Sequence, residues 1–433
     1  MTLVLKGARC VDPQVNLDSV CDILVEGTQI IAIDNSIDAP QNASVLDCSG
    51  KVILPGLMDI HVHFRDPGQE YKETIEGGCA SSAHGGYTDV ATMPNTSPVC
   101  DTGALVTYQI EKSRACGTAR IHPIGAISHG QQQESLAEIG DMYAAGARAF
   151  SDDGRGVQTA GLMRIAMDYI SQFDAVAISH CQDEFLVGSG VVNEGVVSTR
   201  LGLAGWPAQG EEIQIARDIM LSELTGCPLH IAHVSTIKGV EMVKQAKQSG
   251  LQVTCEVTPH HLFLCEDDIT EDFDTNYKMN PPLRTKEDML ALQEALIDGT
   301  IDCVVSDHAP HAAHEKDYEF ERAPFGIVGI ETELPLILTN LVQNGKLSWS
   351  RVVQTMCINP RKILRCNPVV LKPGSEATLV VIDPQKKFTV TKDWLVSKSK
   401  NTPFLGFELT GCATDALLCG SWTLRSGSVA IQS

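Results

Sequence analysis

At 433 residues, with 43% apolar and 20% charged side chains, the chain is long enough for one large domain and a smaller one, and too apolar for disorder. A formal net charge of −21 with no basic stripe to offset it excludes nucleic acid and an anionic membrane surface as partners, and reads first as solubility. Met1-Thr2-Leu3-Val4-Leu5-Lys6-Gly7 lacks the apolar stretch of a leader, and no run of about 18 apolar residues suggests a spanning helix. The 15 cysteines occur singly, without a Cys-x-x-Cys pair, so reduced thiols in a cytoplasmic protein are expected.

In chain order, residues 3–5, 22–25, 29–33 and 44–47 read as short strands, punctuated by Asp12-Pro13 and Glu26-Gly27. The same texture returns at 377–383, 388–390 and 421–424. Two β-rich ends around a different middle predict a small β-sandwich domain assembled from residues 1–51 and 366–433. Between them, residues 52–365 alternate strand and helix patterns. An apolar run, Val52-Ile53-Leu54-Pro55-Gly56-Leu57-Met58, leads as a buried strand into Asp59-Ile60-His61-Val62-His63. Further strands are predicted at 88–94, 119–126, 147–152, 175–181, 228–234, 252–258 and 302–307. Helical patterns lie between them, among them 135–145, 159–171, 211–224, 237–248 and 286–297. Eight short apolar βα units of this kind predict an α/β fold, a (β/α)8 TIM-like barrel, over a doubly wound open sheet, since no Gly-x-Gly-x-x-Gly opens a helix.

The active site of such a barrel sits at the C-terminal ends of its strands. His61 and His63, two apart on a strand, point the same way and suit zinc or a similar ion. Strand two ends in Thr92-Met93-Pro94-Asn95-Thr96, strand four in Phe150-Ser151-Asp152-Asp153-Gly154, and strands five and six in His180 and His233. Strand eight ends in Ser306-Asp307-His308-Ala309-Pro310-His311. Taken singly, each reads more readily as a satisfied core or capping residue; together, at one end of the predicted barrel, they predict a metal site. Four histidines and two carboxylates suffice for two ions, with one carboxylate bridging. Water between two such ions ionises near neutral pH and becomes a nucleophile, and Asp307 is placed to carry its proton to a leaving nitrogen. Spacing alone leaves open whether Asp152 or Asp153 is the ligand.

These residues resemble the amidohydrolase superfamily and, within it, the class I dihydroorotases. The resemblance rests on His-Val-His-Phe-Arg-Asp-Pro-Gly at 61–68, Thr-Met-Pro-Asn-Thr at 92–96, Phe-Ser-Asp-Asp-Gly at 150–154 and Ala-His-Val-Ser at 232–235. Thr-Pro-His-His-Leu at 258–262, Met-Asn-Pro-Pro-Leu-Arg at 279–284 and Ser-Asp-His-Ala-Pro-His at 306–311 complete it. It implies reversible cyclisation of N-carbamoyl-L-aspartate to L-dihydroorotate in pyrimidine biosynthesis. It further implies two zinc ions per chain, held by His61, His63, His180, His233 and Asp307 and bridged by Asp153, with Asp307 also the general acid/base. Arg65, Asn95 and His311 would hold the substrate carboxylate, Asn280 would touch the ring, and Pro324 and Gly326 would contact it through backbone groups. A homodimer is expected, with association with aspartate transcarbamoylase as a further partner to test.

Hydantoinases, dihydropyrimidinases and allantoinases of the same superfamily usually bridge their metals with a carbamylated lysine on strand four. No lysine occurs between Lys112 and Lys238, so strand four cannot supply one. Arg65 likewise favours an anionic substrate over a neutral hydantoin. A non-catalytic barrel partner of aspartate transcarbamoylase would have lost ligands, and all six positions are filled here. His260 and His261 lie outside the completed ligand set, His308 reads as structural, and His84, His122, His129, His230 and His314 as structural or exposed.

Overall fold

A computed structural model describes residues 2–430. The terminal segments form one nine-stranded sheet from Thr2–Asp12, Leu17–Glu26, Gln29–Asp34, Ser44–Asp47 and Val52–Pro55 with Leu379–Thr389, Glu408–Leu418, Ser421–Arg425 and Ser428–Val429. The two facing sheets expected of a sandwich are replaced by this single sheet, because Val52–Pro55 splices the two terminal groups edge to edge. It runs parallel to Thr2–Asp12 on one side and antiparallel to Leu379–Thr389 on the other, where Ile53 faces Val381 and Leu54 faces Val380. The sheet curls until Gln29 bridges Glu376, and wraps a core of Leu3, Leu5, Ile23, Val25, Ile53, Leu379 and Leu417.

The expected boundary after residue 51 therefore moves to Gly56. A Cβ there would lie 2.3 Å from Thr88 Oγ1 and 2.9 Å from Thr378 Cγ2. Only glycine lets the chain pass between those two side chains, out of the sheet and into the next strand.

Eight parallel strands follow: Leu57–Val62, Tyr87–Thr92, Arg120–Pro123, Ala149–Phe150, Val176–Ser179, Leu229–Ile231, Val253–Val257 and Cys303–Val304. The first three pair into one arc and the last five into another. Parallel bridges between Gly125 and Phe150 and between Val62 and His308 connect the arcs at both ends. The strands are apolar along most of their length because both faces are covered. Met58, Ile60, Ala91, Ile178, Ala232 and Val305 fill the interior, while helices cover the outside.

Helix starts follow local chemistry. Thr74, Thr159, Thr236 and Thr285 each accept a backbone N–H from the third helical residue, opening Ile75–Gly85, Ala160–Ile170, Ile237–Gln248 and Lys286–Asp298. The helix expected at 135–145 begins only at Ile139, since Leu136 bridges Ser128 in the preceding loop. Among the described residues, no helix is long and apolar enough to cross a membrane.

Candidate metal centre

All six predicted ligand positions converge at the C-terminal ends of the parallel strands. His61 Nε2 lies 3.3 Å from Asp153 Oδ1 and 3.5 Å from Asp307 Oδ1. His63 Nε2 lies 3.0 Å from Asp307 Oδ1 and 3.5 Å from Asp153 Oδ2. His180 Nδ1 is 3.4 Å from Asp153 Oδ1 and 2.9 Å from His233 Nε2. Asp153 stands at the middle, reached by all four imidazoles. Its neighbour Asp152 turns away and accepts hydrogen bonds from the Ile127 and Ser128 amides and the Ser128 hydroxyl. Asp152 thus ties down a loop, and Asp153 faces the histidines.

Three imidazoles are fixed from behind, so that the other ring nitrogen points inward. His61 Nδ1 donates to Glu256 Oε1 at 2.6 Å, His63 Nδ1 to Asn95 Oδ1 at 2.8 Å, and His180 Nε2 to Gln182 Oε1 at 2.9 Å. Such partners set both tautomer and ring direction in metal sites. Glu256 and Gln182 are functional neighbours that sequence reasoning missed. Glu256 had a signal, a carboxylate in the middle of the buried strand Val253–Val257, tenable only if paired. It also accepts from His230 Nε2 at 2.9 Å and from the His233 amide at 3.2 Å.

Electrostatics leave the cluster ready for a cation. Burial would raise the Asp153 carboxyl, but His61 and His180 hold it well below the usual range. Burial opposes ionisation of Asp307 too, and His61 and His63 overcome it. His233 is pushed down to about 3 by burial and by facing His180 and His61, which leaves its lone pair free. Burial depresses His61, yet Glu256, Asp153 and Asp307 raise it well above the ordinary imidazole value. Those carboxylates draw positive charge to this spot, whether carried by a proton or a metal.

The residues fit a divalent ion. His61 Nε2 and Asp153 Oδ1 are buried atoms without a hydrogen-bond partner, aimed at one another's neighbourhood. Donor atoms of His61, His63 and Asp307 lie mutually within 4.8 Å, as do those of His61, Asp153 and His233. Neutral imidazole with carboxylate is a zinc-compatible donor set. His233 and Asp307 also carry positive φ, 29° and 44°, a strained backbone that aims their side chains inward.

A cavity of about 230 Å³ opens over the cluster, lined by Arg65, Asn95, Asn280, His311, Phe325 and Gly326 beside the ligand positions. Arg65 gives Nε to the Pro310 carbonyl at 3.3 Å, and burial lowers its pKa. No carboxylate of the described residues pairs with it. His311 donates Nε2 to the Phe325 carbonyl at 2.8 Å, and its Nδ1 is buried without a partner. Asn280 donates to Gln182 Oε1 at 3.0 Å. Pro324 stands just outside the cavity lining, its carbonyl accepting from Lys316 Nζ at 2.9 Å, while the next residue, Phe325, forms part of the wall. The Gly326 carbonyl also accepts from Lys316 Nζ, at 3.0 Å, and its amide donates to the Lys278 carbonyl.

The other histidines have local duties. His261 bonds Thr258 Oγ1 and the Pro281 carbonyl, and His308 Nδ1 accepts the Gly329 amide. His260 is buried, with Nε2 unpartnered, outside the cavity lining.

Comparisons with known proteins point to one family. Residues 50–239 match a family model described as dihydro-orotase-like. A dihydroorotase of Acetivibrio thermocellus is 48% identical over 423 residues, 98% of this chain and 99% of that protein. One from Geobacter metallireducens is 48% identical over 97% of this chain and 99% of that protein. Among solved structures, the L-hydantoinase (dihydropyrimidinase) of Arthrobacter aurescens superposes with a TM-score of 0.89 at 27% identity, covering 100% of this chain and 98% of that one. The dihydropyrimidinase of Brevibacillus agri shares the fold, with a TM-score of 0.86 at 22% identity over 100% of this chain and 96% of that one.

Proposed function

The chain belongs to the dihydroorotase family, and from that premise we propose that its histidine-carboxylate cluster interconverts N-carbamoyl-L-aspartate and L-dihydroorotate. It is a cyclic amide hydrolase acting on a small molecule. The eight parallel strands are read as a closed (β/α)8 barrel, supported by the bridges that join the two arcs. His61, His63, His180, His233, Asp153 and Asp307 are the residues that would hold zinc, two ions with Asp153 between them. A divalent ion there supplies charge that lowers the pKa of water and polarises the amide carbonyl.

The remaining chemistry belongs to the chain. In ring opening, Asp307 accepts the proton of the attacking water as the new C–O bond forms. It then returns that proton to the ring nitrogen as the C–N bond breaks. Cyclisation runs the same transfers backwards, expelling water. Arg65 pairs the substrate carboxylate, with Asn95 and His311 beside it, so that the amide carbon meets the cluster in one orientation.

One observation carries the substrate assignment. Arg65 presents a guanidinium to the cavity without a carboxylate partner among the described residues. A neutral hydantoin would leave that cation without a directly paired carboxylate, whereas dihydroorotate and carbamoyl aspartate bring one to it. Supplying purified zinc-loaded protein with dihydroorotate and with hydantoin, and following ring opening by ultraviolet absorbance, tests this. Turnover of dihydroorotate but not hydantoin is expected; preference for hydantoin would overturn the assignment.

A further inference from the structure

At the opposite end of the parallel strands from the histidine cluster lies a second, larger cavity of about 710 Å³. It opens between the strand beginnings around Arg120 and Arg148 and the segment 365–376 that leads into the terminal sheet. Its two carboxylates are already engaged. Asp89 is shared by Arg361 at 2.6 Å, Arg120 at 3.0 Å and His122 at 3.0 Å, and Glu376 pairs with Arg120 at 3.0 Å.

Three cations remain. Arg148 gives only Nη1, to the Tyr143 and Ala147 carbonyls, and lies 4.4 Å over the Tyr143 ring. Lys372 has no ion-pair partner among the described residues. Arg365 shares its charge with Asp174 at 3.2 Å, whose carboxylate is 75% exposed. In a chain of net charge −21, surplus positive charge around one concavity is a local departure from the whole. Pro368, Val369 and Val370 supply an apolar wall beside it.

We propose that this cavity binds a phosphorylated small molecule of nucleoside-monophosphate size, its phosphate held by Arg148, Arg365 and Lys372. Two guanidinium forks and an ammonium match the charge and tetrahedral oxygens of a phosphate dianion. The volume lies in the range of small-molecule sites, and the apolar wall suits the uncharged part of such a ligand. Arg361, which also lines the cavity, donates to the Gly56 carbonyl at 2.7 Å, so the site adjoins the passage into the strand that carries His61.

Calorimetric titration of the full-length, zinc-loaded protein with adenosine monophosphate and, separately, with inorganic phosphate tests it. Saturable binding of adenosine monophosphate is expected, weakened at least about tenfold in Arg148→Ala/Lys372→Ala and unchanged in Arg65→Met. Lys372→Glu, a change at an exposed side chain that leaves the buried core untouched, serves as a second variant and must also weaken binding. Equal affinity for inorganic phosphate would assign recognition to the phosphate alone; tighter binding of the nucleotide would bring in the wall at 368–370. No saturable binding by either probe, equal binding in both charge variants, or loss of binding in Arg65→Met would overturn the site.

Discussion

Replacing Glu256 by glutamine tests whether a residue away from the cavity sets the metal centre. The side chain is fully buried, and His61 and His230 hold its carboxyl at about 2 against the effect of burial, so it is ionised at neutral pH. Glutamine keeps the shape and removes the charge. Two contacts face the cluster, His61 Nδ1 at 2.6 Å and the His233 amide at 3.2 Å. Turning a charge-assisted hydrogen bond into a neutral one costs about 1–1.5 kcal/mol, or ~2–3 kcal/mol for the pair. That corresponds to about a 30- to 150-fold loss of zinc affinity, overlapping the upper part of the roughly 10- to 100-fold range typical of such orienting partners. Competition for zinc against a chromophoric chelator measures it directly, with circular dichroism to verify the fold. Wild-type zinc affinity in a folded Glu256→Gln protein would refute the claim that this carboxylate orients His61.

Asp307→Asn should retain zinc, measured by metal analysis, while turnover falls about 10²- to 10⁴-fold as the proton carrier is lost; near-normal kcat would remove Asp307 from that role. Arg65→Met should raise KM for carbamoyl aspartate about 10- to 100-fold without altering metal content, and an unchanged KM would dismiss the carboxylate pairing. Chelation should abolish activity, and added zinc should restore it; full activity in metal-free protein would contradict the metal reading. His122 is lowered by burial but raised further by Asp89 and Cys366, to about 9 against an ordinary 6.5. Since the folded value is the higher one, its stabilisation is complete below about pH 6.5 and disappears as pH climbs through about 9. Thermal melts of wild type and His122→Gln should therefore differ most near pH 6 and converge above pH 9; a gap that widens with pH would be contrary to this.

The strand-end residues were legible because a buried apolar strand that stops at His or Asp stands out, and the structure gathers these at one end of the parallel strands. Glu256 was less visible. It lies inside a strand, and only its three hydrogen-bond partners, drawn from two other strands and the loop beyond, explain a charge there. Val52–Pro55 was assigned to the wrong body for a related reason. A short all-apolar run looks the same in a parallel strand and in the middle of a curled sheet, and periodicity cannot choose between them. The direction of the Pro324 carbonyl, which accepts from Lys316, was not legible at all, since residue type does not say which way a backbone group turns.

The splice at Val52–Pro55 also imposes an order on biosynthesis. A nascent chain emerging from the ribosome carries this strand early, yet its antiparallel partner, around residues 379–382, is made only near the end. Until then one side of Ile53 and Leu54 offers unpaired amides and carbonyls, a template for a neighbouring chain. Closure of the terminal sheet is therefore a late, long-range event, and polypeptides stalled before residue 379 should be the aggregating species.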